Sequence, residues 1–133
     1  MYLLDTNVLS ALRRPDRAPQ IADWLRTKAE DQLFISVVTL GEIERGIALQ
    51  EDRNPDFAND LRGWIDRTSL FFADRLLAFG PEEARIWGRL SARIGHNGAD
   101  LQIAATALAH GAVVVTGNVS DFEPTGVEIE NPF

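Results

Sequence analysis

The sequence predicts an α/β domain built on a central, mostly parallel sheet. Three observations carry this expectation. Short apolar runs (YLL, LFISVV, AVVVT) alternate with longer stretches of helical periodicity, the pattern of strand–helix–strand units. The chain has 133 residues, 45% of them hydrophobic, which suits one domain with one core, expected to cover residues 1–133. Polar residues also stand at the carboxyl ends of the apolar runs, where parallel sheets of this class gather their ligand sites.

The elements follow in order. YLL at the start reads as a short buried strand, and a helix from Thr6 to about Leu12 is stopped by Pro15. A second helix covers roughly Ala18 to Glu30, and Leu33 to Val38 is a β-rich strand. A helical stretch then runs from Leu40 to about Leu49. Asn54 caps the next helix, with Pro55 at its first position, through about Asp66. Leu76 to Phe79 is a short strand broken by Gly80-Pro81, and helices follow from Pro81 to Ile94 and from Gly98 to His110. After Gly111, Ala112 to Thr116 is the most strand-like segment of the chain.

Composition narrows the function. There are no cysteines, so disulfides, zinc–thiolate sites and thiol catalysis are excluded. No apolar run reaches the roughly 20 residues of a membrane span, and the N-terminus lacks the pattern of a signal peptide. A cytoplasmic protein with no membrane partner is the expectation. The net charge of −7 argues against holding nucleic acid by bulk electrostatics. Charge can still be local: Arg85, Arg89 and Arg93 share one flank of a helix. They form either a solvated face paired with acids or a stripe that contacts phosphates. Arg13, Arg14 and Arg17 make a second, looser cluster.

Four places near strand ends carry polar side chains: Asp5, Glu42, Asp100, and Asn118 with Asp121. Each also has a purely structural reading. Asp5 can cap the first helix, and Thr39 with Glu42 has capping-box spacing. Asp100 lies where a helix dipole favours an anion, and Asn118 can cap a short turn. Helical projection sets Asp100 on the stripe of Ile103, Ala104, Ala107 and Leu108, a costly place for a carboxylate without a partner. The same projection does not choose Glu42 over Glu44. If the sites converge, mutual repulsion requires a cation among them. Oxygen donors without His or Cys select Mg²⁺, with Mn²⁺ as a substitute, and such ions serve phosphate-ester cleavage. A phosphatase working through an aspartyl intermediate wants an acid where Asn7 stands. A phospho-receiver domain wants a Lys near the last strands, and the chain's one Lys is Lys28.

With LLDTNVLS, SVVTLGEIERG, ADLQIAATALAHG and VVTGNVSDF in this order, the chain resembles PIN domains. More narrowly, it resembles the VapC-type toxins of toxin–antitoxin modules, including the FitB-like plasmid-stability subgroup. The resemblance covers essentially the whole chain. It implies a three-layer α/β/α fold, a divalent-metal ribonuclease, a cognate antitoxin and a homodimer. It assigns metal binding to Asp5, Glu42 and Asp100, and leaves the fourth position to Asn118 or Asp121. Thr6 and Thr116 are expected to support these acids. Gly117 stands where relatives often carry Arg. An antitoxin is expected to dock on an apolar groove, for which Trp24, Trp64, Phe71 and Phe72 are candidates. The rival expectation is a module that binds RNA or a partner without cutting, its fourth motif degenerate.

Overall fold

The computed structural model describes all 133 residues. Five short strands form its sheet: β1 (Tyr2–Leu4), β2 (Leu33–Ser36), β3 (Leu76–Leu77), β4 (Val113–Val115) and β5 (Ile129–Glu130). They pair in the order β3-β2-β1-β4-β5, every pair parallel. Leu3 of the central strand stands opposite Phe34 on one side and Val114 on the other.

Side chains of the inner strands alternate between two cores, as the period of a strand dictates. Leu4, Leu33, Ile35 and Val115 enter one core with Val8, Ile21, Ile43, Ile47 and Ile65. Leu3 and Val114 enter the other with Leu90, Ile103, Ala104 and Phe122. The first core is closed by helices α1 (Thr6–Ala11), α2 (Pro19–Arg26), α3 (Val37–Gln50) and α4 (Pro55–Phe71). The second is closed by α5 (Pro81–Ile94), α6 (Ala99–His110) and α7 (Val119–Phe122). The expected α/β/α layering is therefore present. No helix is long and apolar enough to cross a membrane.

Several boundaries differ from the sequence reading. The run LFISVV does not stay extended to Val38. Ser36 Oγ accepts a hydrogen bond from the Val38 N–H at 3.0 Å and starts α3 at Val37, so a local cap overrides the β preference of two valines. Thr39 consequently lies buried inside α3, and its expected capping box with Glu42 does not form. The cap at Asn54 is present, its side chain accepting from Phe57 N at 3.2 Å, but α4 runs five residues past Asp66 to Phe71. Helix α2 ends at Arg26, before Glu30. Strand β5 was not anticipated.

Helix α6 also departs from its projected stripe. Leu101, Ile103, Ala104, Ala105, Thr106 and Ala107 are all buried, while Leu108 is 39% exposed. A helix buried on nearly every side carries no single stripe, and Thr106 satisfies its hydroxyl on the Gln102 carbonyl at 2.9 Å.

Candidate active site

The order of the strands fixes where a site can form. From β1 the chain moves outward through β2 and β3, then returns to the far side of β1 with β4 and β5. The crevice between the carboxyl ends of β1 and β4 is thus the switch point of the sheet, the place where open α/β sheets bind ligands.

Asp5 stands there. Its N–H donates to the Val115 carbonyl at 2.9 Å, extending the β1–β4 ladder by one residue. The residue is 3% exposed. One carboxylate oxygen accepts from the Thr6 N–H at 2.8 Å and caps α1. The other accepts from the Thr116 hydroxyl at 2.8 Å, across the switch point. Asp5 is therefore a helix cap and a buried carboxylate at once.

The neighbouring residues connect the strand ends. The Thr6 hydroxyl donates to Glu42 Oε1 at 2.6 Å and lies 3.2 Å from the Thr39 hydroxyl, tying α1 to α3. Thr116 Oγ accepts from the Asn118 N–H at 2.9 Å. Asn7, to which the sequence assigned no part in this site, bridges the same two loops through longer contacts. Its amide reaches Thr116 Oγ at 3.5 Å, and its carbonyl oxygen accepts from Gly117 N at 3.5 Å. The signal for Asn7 was present in the sequence: a polar residue three positions past the strand end, followed at once by buried Val8 and Leu9.

Electrostatics bring the remaining acids into the same site. Burial pushes the Asp5 carboxyl above its ordinary value; the bonds from Thr116 and Thr6 oppose this, and the charges of Glu42 and Asp121 add to it. Half-buried Asp100, in the first turn of α6, is pushed up to about 6, first by burial, then by Asp5, Asp121 and Glu42, with His96 acting against them. Four carboxylates from four chain segments thus share one field. No three of them close up into a ready-made metal-binding cluster. Asn118 is exposed and its side chain makes no capping bond, whereas the charge of Asp121 reaches both Asp5 and Asp100. The fourth acid of this field is Asp121.

A pH dependence of stability follows from Asp100. Its folded-state pKa of about 6 lies above the ordinary 3.8, so between these values the folded chain binds more protons than the unfolded one. Stability is then favoured at low pH and lost as pH rises through about 6. Partial exposure screens the effect, so its direction is the prediction. In EDTA, Asp100→Asn is expected to raise the urea midpoint at pH 7 and to flatten this part of the pH–stability curve. Identical curves for the two proteins would remove Asp100 from the shared field.

Other sequence candidates lie apart from the acids. Arg85 and Arg89 are exposed on α5 and make no ion pair, and Arg93 donates to the Pro124 carbonyl at 3.1 Å. Trp64, Phe71 and Phe72 line one apolar groove of about 410 Å³ with Leu9, Leu12 and Leu25. Trp24 does not join them. Its indole N–H donates to Glu130 at 2.8 Å, and its ring meets Tyr2 edge-on, 5.5 Å between centroids. A Cβ at Gly117 would sit 2.8 Å from the ring of Phe133, an exposed side chain that would have to move.

Fold and site together define a parallel α/β domain whose switch point carries a buried carboxylate within the field of three further acids. Residues 2–123 match the family described as the PIN domain. The chain is 36% identical to a VapC ribonuclease, Y4jK, of Sinorhizobium fredii over all of its length and 98% of the relative. It is 32% identical to the toxin FitB of Neisseria gonorrhoeae, again over its full length and 99% of the relative. Among solved structures, the crystal structure of FitAcB from Neisseria gonorrhoeae superimposes with a TM-score of 0.85 at 31% identity, covering 99% of this chain and 98% of that one. The chain belongs to the PIN-domain family.

Proposed function

We propose that the chain is the toxin of a toxin–antitoxin module, a Mg²⁺-dependent endoribonuclease held inactive by a cognate antitoxin and working as a homodimer in the cytoplasm. The observation that carries this reading is buried Asp5 at the switch point, tied through Thr6 to Glu42 and through Thr116 to the Asn118 loop, with the charges of Glu42 and Asp121 reaching both it and Asp100. The names of its relatives, a ribonuclease and a toxin, support the same activity.

The donor set fits the proposed ion. All four side chains offer hard oxygen, and their charges oppose one another. That suits a cation keeping part of its water shell, as Mg²⁺ does, better than one needing a closed nitrogen and sulfur cage. When bound, Mg²⁺, or Mn²⁺ in its place, supplies an activated water and neutralises charge developing on the phosphate. Asp5, Asp100 and Glu42 would hold it, with Asp121 contributing the fourth charge. Thr116 and the Thr6 N–H fix both oxygens of Asp5, and the Thr6 hydroxyl fixes one oxygen of Glu42. These bonds set the acids before substrate arrives, so little reorganisation is left to the reaction. The apolar groove of Trp64, Phe71 and Phe72, beside exposed Leu70, suits the apolar face of an amphipathic antitoxin segment.

The test is cleavage of total cellular RNA by the purified chain. Turnover is expected with Mg²⁺ or Mn²⁺ and is expected to disappear with EDTA. Cleavage that survives EDTA would sink the metal-dependent mechanism. RNA binding without metal-dependent turnover would support the non-catalytic module instead.

A further inference from the structure

A second groove, of about 360 Å³, opens beside the acids between α1, α3 and α4, with Thr6, Arg13, Glu42, Gln50, Phe57 and Trp64 on its walls. Thr6 and Glu42 already belong to the site, so groove and site are continuous. Arg13 is its only basic residue. In a chain of net charge −7, an arginine at such a place commonly finds an acid. Arg62 on α4 does so, meeting Glu51 at 2.9 Å and Glu44 at 3.4 Å. Arg13 takes part in no ion pair. Its guanidinium lies over the Phe57 ring, 5.2 Å from the centroid, which holds the charge in place without cancelling it. Beyond Arg13 the surface continues past Asn59, Asp60 and Trp64 to Arg67, which pairs with no acid, Asp60 included.

Building on the ribonuclease reading, we propose that this groove seats the nucleotide flanking the scissile phosphate of single-stranded RNA, with Arg13 holding its phosphate and Phe57 and Trp64 facing its base. Proteins that bind single strands combine aromatic faces with arginine in this way, and the planar guanidinium fork matches phosphate oxygens. A peptide is the rival occupant. Four of the ten residues lining this groove are hydrophobic, against eight of ten in the groove of Phe71 and Phe72, which suits a peptide better.

The test uses a fluorescein-labelled, mixed-sequence single-stranded RNA, bound to an Asp100→Asn background and read by anisotropy across salt concentrations. Arg13→Ala is expected to weaken binding about tenfold or more and to reduce the slope of log affinity against log salt by about 0.7. Phe57→Ala is expected to weaken it roughly five- to a hundredfold with the slope unchanged. Arg13→Lys, which keeps the charge, should restore the slope. In the cleaving protein, Arg13→Ala should raise KM and leave kcat within about threefold. Thermal unfolding checks that each variant folds, and Arg13→Lys decides the matter if Arg13→Ala does not. Unchanged affinity and slope in Arg13→Ala, while the parent chain still cleaves RNA, would overturn the groove alone. So would loss at Arg89→Ala with none at Arg13→Ala, which places the track on α5. Weakened antitoxin binding with an unaltered RNA slope would assign the groove to a peptide and overturn the proposal. A parent chain that neither binds nor cleaves RNA overturns the ribonuclease reading, and this inference with it.

Discussion

Asp5→Asn is expected to lower RNA cleavage by about 10³-fold, with the fold intact. Groups that merely support a metal ligand are worth about 10–100-fold, and Asp5 is the one buried carboxylate of the four. Asn keeps an oxygen for the Thr6 N–H, so the cap of α1 survives. The other side is less forgiving. Thr116 Oγ already accepts from Asn118 N and, at longer range, from the Asn7 amide, and its own hydrogen goes to Asp5. An amide nitrogen at position 5 brings a third donor to that oxygen and removes the acceptor for its hydrogen. Relief from burying a charge acts in the opposite direction. The two effects are of similar size, about 1–2 kcal/mol each, so thermal unfolding should move by only a few degrees. Activity is measured with Mg²⁺ in excess and stability by circular dichroism on the same preparation. Retained cleavage would take Asp5 out of the chemistry; a collapsed melting temperature would make the loss one of folding.

The double role of Asp5 shows what a sequence carries and what it withholds. The elements were legible because each has a local cause: Pro55 and Asn54 start α4, Gly111 at φ 64° ends α6, and apolar triplets mark β1 and β4. Boundaries failed where a local cap overrode β preference, as at Ser36, whose side chain turned two valines into the start of a helix. The short strand β5 was invisible because its residues pair only with β4, and pairing across sequence distance leaves no local period. Within the site, Asp5, Glu42 and Asp100 were legible by their places at strand ends and by the resemblance. The bonds from Thr6 to Glu42 and from Thr116 to Asp5 join residues 36 and 111 positions apart, distances no periodicity spans. Asp100 drew attention for a stripe that α6 does not have; its raised pKa comes from burial at the helix start and from the other acids.

Arg75 is the residue whose importance the sequence concealed most, and Arg75→Ala is expected to cost about 2–4 kcal/mol. An arginine is ordinarily an exposed residue. This one is instead 7% exposed. Its guanidinium donates to the carbonyls of Glu30 at 2.7 Å, Phe71 at 2.8 Å and Leu33 at 3.0 Å, and it lies 4.9 and 4.7 Å from the ring centroids of Phe71 and Phe72. One side chain thus closes the C-terminal end of α4 onto the turn that enters β2. Glu30 and Asp74 contribute charge from the rim at 3.8 and 3.3 Å, where screening makes it worth little. Truncation strands buried carbonyls and opens space beneath two aromatic rings, and each loss is destabilising on its own. Arg75→Lys keeps the charge but cannot reach three carbonyls at once, so it should cost about 1–3 kcal/mol. Against a total stability of about 5–15 kcal/mol, the alanine variant would sit near the edge of folding, and the urea midpoints of the three proteins measure the difference. Phe71 and Phe72 also line the apolar groove, so the same substitution should loosen that surface while leaving the acids at the far end of β1 in place. A loss below about 1 kcal/mol for Arg75→Ala would mean that water replaces the guanidinium at all three carbonyls.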